Sequence, residues 1–136
     1  MLAHVAAEVF DQPPDVRLTR EFLNDPRHHI AVAIDNDLVV GFASAVHYVH
    51  PDKPAELWIN EVGVAPTHRH RGVAKGLLRE LLGLGTRLGC REAWVLTDRM
   101  NPAALRLYGS VGGVESGQDQ VMFSFRLGSG SPTRAP

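Results

Sequence analysis

The passage from Leu57 to Leu88 constrains this chain more than any other, because its periodicity changes once, abruptly, across a basic turn. Leu57 to Val64 reads as an alternating strand, whereas apolar residues at 73, 74, 77, 78, 81, 82, 84 and 88 follow the spacing of an amphipathic helix. Arg69, His70, Arg71 and Gly72 lie between the two. A helix that opens directly from such a turn presents backbone N–H groups with no intrahelical partner, at the positive end of its macrodipole. Gly72 removes the side chain that would hold a ligand away from those groups, and Arg69 and Arg71 add positive charge. The combination predicts an anion cradle suited to phosphate.

Two common nucleotide loops can be set aside. The spacing GxGxxG does not occur at this turn, and no Gly-Lys-Ser or Gly-Lys-Thr triplet exists in the chain. Arg69-x-x-Gly72-x-Ala74 is present instead, with a strand before it and a helix after it.

Composition narrows the class. A length of 136 residues is that of one domain, expected over residues 1–127, and 44% apolar with 21% charged content is that of an ordinary soluble globule. A net charge of −1 argues against broad binding to nucleic acid or an anionic membrane, both of which call for a basic excess. Cys90 is the single cysteine, so no intrachain disulfide is expected. No apolar run approaches a membrane span, and the opening MLAHVAAEVFDQ lacks the layout of a leader, so a cytoplasmic location is expected. Neither His28-His29 nor His68-x-His70 has a ligand spacing with a third partner, and no metal is expected.

In chain order, apolar residues at 2, 5, 6, 9 and 10 predict an opening helix that ends before Pro13-Pro14. A second helix is predicted around Asp15 to Asn24, with Asp15 as its cap. Ile30–Ile34 and Leu38–Tyr48 read as a hairpin turning at Asp35-Asn36-Asp37. After the central strand and helix, Gly89 suits a helix C-terminus and Glu92–Thr97 a short strand. Asn101 and Pro102 open another helix as N-cap and first residue, and Gly112-Gly113 stop it. Val114–Ser116 and Gln120–Leu127 read as closing strands, and the last residues, GSGSPTRAP, have the composition of a disordered tail. The expected class is α/β (α+β), a mixed central sheet flanked by helices: antiparallel at its hairpins and parallel across the 57–97 strand–helix–strand unit.

Asn101-Pro-Ala-Ala-Leu-Arg-Leu-Tyr108-x-x-x-Gly112 supplies a second motif at a fixed distance from the loop. With both segments in hand, the chain resembles the GNAT superfamily of N-acetyltransferases over roughly residues 1–127. Within it, Ala55–Val64, Thr97-Asp98 and Ala103–Tyr108 look most similar to the small aminoglycoside 3-N-acetyltransferases. One departure stands out: the family opens on a strand before its first helix, and this sequence starts inside the expected helix.

The resemblance implies acetyl-CoA as the acetyl donor and a primary amine as acceptor, either a small cation such as an aminoglycoside or polyamine, or else a protein or peptide amine. A CoA-binding regulatory module without turnover is a third reading. The resemblance places pantetheine along Val62, Gly63 and Val64, with the Val62 N–H polarising the thioester carbonyl. It places the pyrophosphate on Arg69, His70, Arg71, Gly72, Val73, Ala74 and Lys75, and brings Asn101 near CoA. Glu61 is the candidate base, with Asp98 or water as the alternatives, and Tyr108 is the candidate acid that protonates the thiolate. Glu56 and Asp98 are candidates for binding a cationic acceptor. By strict alternation Glu61 shares a face with Leu57 and Ile59; a bulge in the strand changes that relation. The resemblance also leaves room for a homodimer, since in this family a dimer partner often helps to read the acceptor.

Overall fold

In the computed structural model, which describes residues 2–117 and 119–128, a four-stranded sheet in the order β1-β2-β3-β4 carries helices on its faces. β1 (His28–Asp35) and β2 (Leu38–Tyr48) form a hairpin, and β3 (Glu56–Val64) pairs antiparallel to β2. β4 (Glu92–Val95) pairs parallel to β3 after a crossover through the long helix. Among the described residues no helix is long and apolar enough to cross a membrane.

The hairpin turns on two residues, Asn36 and Asp37, at φ of 50° and 64°. Asn and Asp are the non-glycine residues that best tolerate this left-handed region, and two in succession give the turn whose twist matches the strands. α1 (Val16–Asn24) starts at Asp15, whose Oδ1 accepts the Leu18 N–H at 2.9 Å. It sits lightly on the sheet: Phe22 stacks on His28 at 5.3 Å, while Leu18 and Leu23 stay exposed.

α2 (Val73–Arg87) lays Leu77, Leu78 and Leu81 on Ala43, Ala45, Leu57 and Ile59, making the larger core. Small residues on β2 let the helix approach, and Gly85 continues this, since a Cβ there meets Leu57 Cδ2 at 3.1 Å. Gly89, at φ 83°, closes the helix as expected. α3 (Pro102–Ser110) follows β4, and its Leu107 and Tyr108 lean on the edge of the same core.

The opposite face corrects the first expectation. Residues 2–10 form no helix; they run as turns with one bridge, Val5 parallel to Val39. The Ala6 N–H donates to the Val39 carbonyl and the Val39 N–H to that of His4, each at 2.8 Å. Val9 is buried with Val40, Phe42 and Ala65, and Phe10 stacks on Phe42 at 3.9 Å. Of the apolar residues that suggested a helix, Val9 is buried and Val5, Ala6 and Phe10 are half-buried by a chain laid across the sheet, and Glu8, at φ 63°, interrupts helical geometry.

The closing strands are the second correction. Val114–Ser116 and residues 121–127 join no sheet, and Val121, Phe123, Phe125 and Leu127 are exposed. Alternation marks a segment that can form a strand, but pairing needs a partner edge. β4 is also shorter than expected, ending at Val95 rather than Thr97. The expected tail from 128 onward falls mostly outside the described residues.

Candidate active site

The site follows from a mismatch in strand length. β4 pairs with β3 from Glu56↔Glu92 to Ile59↔Val95 and then stops, while β3 continues to Val64. At the same point the β2–β3 register shifts: Ser44 faces Glu61 and Ala45 faces Ile59, which leaves Asn60 as the extra residue of a β-bulge. The bulge reverses the relation that strict alternation gives, so Glu61 lies on the Ser44 face of the sheet, away from α2, while Val62 packs with the α2 core.

Beyond the bulge, the Ala65 N–H donates to the Val40 carbonyl at 2.8 Å. Antiparallel pairs alternate between bonded and non-bonded, so Glu61 and Gly63 also bond toward β2. The N–H and C=O groups of Val62 and Val64 therefore point the other way, into the gap left by β4. A cleft of about 300 Å³ opens there, lined by Val9, Asp11, Phe42, Asn60, Glu61, Val62, Leu96 and Tyr108. Tyr108 is brought in by α3, whose start is fixed by Asn101: its Oδ1 accepts the Ala104 N–H at 3.1 Å, with Pro102 next. Burial pushes the Tyr108 phenol above its ordinary value of 10, so it holds its proton throughout the neutral range.

At the far end of β3 the chain passes through a 3-10 turn (Pro66–His68) into the basic loop. The turn is tied down on both sides. His68 Nε2 meets Asp35 Oδ2 at 2.8 Å and its Nδ1 meets Thr67 Oγ1 at 2.8 Å, while Arg69 Nε donates to the Val64 carbonyl at 3.2 Å. His70 and Gly72 both take left-handed conformations, at φ of 63° and 79°. A Cβ at Gly72 meets nothing within 4 Å. The glycine is thus needed for its backbone angle and keeps the space above it open. No side chain caps α2, and its first backbone bond runs from the Gly76 N–H to the Gly72 carbonyl. The N–H groups of Gly72, Val73, Ala74 and Lys75 precede that bond and are free of it, beside the exposed Arg71. This arrangement fits a pyrophosphate.

Two expected acceptor residues lie elsewhere. Glu56 sits at the opposite end of β3, against His50 Nε2 at 3.1 Å and Lys53 Nζ at 3.7 Å. Asp98 is exposed in a turn, where its Oδ1 accepts the Met100 N–H at 2.8 Å. Asp11 and Asn60 line the cleft and were not singled out from the sequence; a helical reading of residues 2–10 hides Asp11, and nothing local marks Asn60 as the bulged residue. A larger hollow of about 620 Å³ beside the end of α1 is lined by Glu21, Asn24, Asp25, Pro26 and Arg27. Its Asp25 and Arg27 are paired with each other at 3.1 Å, and none of its lining residues lines the cleft at the strand gap.

The strand gap, the crossover helix and its glycine-opened N-terminus all lie within residues 2–112, which match the model of the acetyltransferase (GNAT) family. The chain belongs to the acetyltransferase (GNAT) family. As a member it is an acetyl-CoA-dependent N-acetyltransferase. The N-alpha-acetyltransferase RimI of Mycobacterium tuberculosis is 37% identical over 113 residues, covering 81% of this chain and 68% of that protein. The aminoglycoside N-acetyltransferase AAC(6')-Iy, solved with CoA, superposes with a TM-score of 0.70 at 27% identity over 82% of this chain and 74% of its own. The fold also matches an aminoglycoside acetyltransferase from an uncultured soil metagenomic sample, with a TM-score of 0.77 at 23% identity, covering 84% of this chain and 75% of that one. This GNAT chain thus shares its family with enzymes whose acceptors differ, and the loop, the strand gap and Tyr108 all fall inside the matched range.

Proposed function

We propose that this acetyltransferase modifies a small cationic primary amine, of the polyamine or aminoglycoside kind, with Glu61 as base and Tyr108 as acid. The observation that carries this reading is that both side chains line one cleft, at the gap into which the Val62 N–H points. Glu61 takes a proton from the ammonium, and the freed nitrogen attacks the thioester carbonyl. The Val62 N–H stabilises the charge that develops on the carbonyl oxygen, as a fixed donor in a confined site does. The new C–N bond forms, the C–S bond breaks, and nitrogen releases its second proton to water. The departing thiolate takes the Tyr108 hydroxyl proton, which solvent restores; one proton is released overall.

The phosphates of CoA would lie on the α2 N-terminus, with Arg71 contributing charge and Arg69 holding the loop to Val64. Sequence likeness favours attachment at a 3-amine, whereas the CoA-bound relative is by name a 6′ enzyme. A second reading, the α-amine of a protein, is favoured by the 37% identity to RimI.

A free-thiol release assay against aminoglycosides, polyamines and peptide N-termini separates the two readings. Turnover with the small cations supports the proposal, and turnover with peptides alone replaces its acceptor. The Glu61→Gln variant, assayed across pH, should lose the acidic limb of the wild-type rate profile; an unchanged profile removes Glu61 as the base.

A further inference from the structure

Ser44 is the one buried polar residue among the described residues, with 7% of its surface exposed. It lies on the sheet face away from α2, opposite Ile30 of β1 on one side and Glu61 of β3 on the other. Its neighbours on that face along β2 are Phe42 and Val46, so the setting is otherwise apolar. The hydroxyl forms no hydrogen bond among the described residues. Burying it in that state costs free energy, and an alanine would fill the same small space without that cost, as Ala43 and Ala45 do on the other face. A small side chain is therefore not a sufficient reason for a serine here.

The strand register supplies the polar neighbour. Without the bulge, Ser44 would oppose Asn60, and Glu61 would oppose Ala43 on the α2 face; the extra residue brings Ser44 and Glu61 together instead. Residues paired in this way hold their Cβ atoms roughly 4.5–5.5 Å apart, a gap that a serine and a glutamate close directly or through one water. The Glu61 carboxylate likewise has no hydrogen bond or salt bridge among the described residues. The other ionisable groups on the cleft wall are Asp11, from the opening segment, and Tyr108, from α3; no Lys, Arg or His lines it. Ser44 does not line the cleft, so it meets an acceptor only through Glu61.

We infer that Ser44 is a positioning residue, whose hydroxyl donates to the inner oxygen of the Glu61 carboxylate, directly or through one water, and so turns the outer oxygen toward the acceptor amine. The inference rests on the proposed role of Glu61 and adds the group that holds it. A donor at the inner oxygen favours the ionised carboxylate, which is the form that takes a proton. It also fixes one rotamer of a side chain that is otherwise exposed in the cleft.

The test is the pH–rate profile of Ser44→Ala, Ser44→Cys and Ser44→Thr. Alanine and cysteine are close to serine in size and lack a strong donor, whereas threonine keeps the hydroxyl. Without the donor the carboxylate holds its proton to higher pH. The acidic limb should therefore move up by about one pH unit in the alanine and cysteine variants, the shift that a lost hydrogen bond to a charged group gives, with kcat several-fold lower on the plateau. Threonine should restore the wild-type limb. The melting temperature of Ser44→Ala and its CoA affinity by calorimetry should match wild type, which separates positioning from folding. An unmoved limb in Ser44→Ala, or a threonine limb that matches the alanine one, would overturn the role of Ser44. Glu61→Gln in the same assay tells the two failures apart. If it loses the limb while Ser44→Ala leaves the limb in place, the Ser44 inference alone falls; if Glu61→Gln keeps the limb, the base assignment fails and this inference with it.

Discussion

Gly63→Ala tests the packing that builds the cleft. Gly63 lies in β3, between the two residues whose backbone groups face the gap. A methyl group there would stand 2.1 Å from the Val9 carbonyl oxygen and 2.9 Å from Phe42 Cε1. An ordinary carbon–oxygen approach is about 3.3 Å, so the shortfall is about 1.2 Å. The obstacle is backbone, and moving it costs packing: Val9 is buried and Phe10 is stacked on Phe42. Overpacking typically costs 1–3 kcal/mol, and a backbone obstacle places this substitution near ~3 kcal/mol. At roughly 3–4 °C per kcal/mol for a domain of this size, the melting temperature should fall by about 10 °C. Relief by lifting the 9–11 segment would also raise the acceptor KM, since Val9 and Asp11 line the cleft. Gly76→Ala is the control, because a Cβ there meets nothing within 4 Å and alanine is the better helix former, by up to about 1 kcal/mol. Urea titration and thermal melts of both variants decide the matter. A Gly63→Ala protein within about 0.5 kcal/mol of wild type would refute the close approach of the opening segment to β3.

The other predictions concern the reaction and its pH range. Tyr108→Phe should lower turnover by roughly 10²-fold or less, with CoA affinity nearly unchanged by calorimetry; an unaffected rate removes the acid role. Gly72→Glu should abolish CoA binding, because it puts a carboxylate over the free N–H groups and forces a side chain into a left-handed backbone position; retained micromolar binding would sink the loop assignment. Asp35→Asn should loosen the His68 tie and raise the CoA dissociation constant several-fold with kcat unchanged, provided the tie orders the loop. His29, whose Nε2 meets His47 Nδ1 at 2.7 Å, is held below the ordinary value of 6.5 by burial and by its histidine neighbours. The unfolded chain therefore binds this proton more readily than the fold does, so stability should be complete above pH 6.5 and decline as pH falls below it. A His29→Phe variant should lose that acid sensitivity in denaturant titrations at pH 5 and pH 7.5; an equal decline in both proteins argues against the histidine pair as its source.

The central unit was legible because each of its signals is local. The strand from Leu57, the Arg69-x-x-Gly72 turn, the spacing of the leucines on α2 and the Asn101-Pro102 start of α3 each work within a few residues, and each element fell where the periodicity put it, although a bulge breaks the strand's alternation at Asn60. The two segments read wrongly have the opposite character. Val5, Val9 and Phe10 match helical spacing, but a non-helical path buries Val9 and half-buries the other two, because the sheet face offers Val40 and Phe42 as partners. Val121, Phe123 and Phe125 alternate as a strand does, yet a strand is made by its neighbour, and none pairs with them among the described residues.

The sequence by itself determined the family, the basic glycine-opened turn before α2, and the presence of Glu61 and Tyr108, since all of these are written in contiguous motifs whose chemistry depends on residue type and spacing. Only the tertiary structure decided which face Glu61 occupies, because one extra residue in β3, Asn60, is a matter of register between strands and not of composition. The same holds for the cleft wall: Glu56 and Asp98 are as acidic as Asp11, but the chain path turns them to other partners and brings Asp11 to the cleft. Charge is a property of the residue, whereas which charges meet is set by packing between segments far apart in the chain.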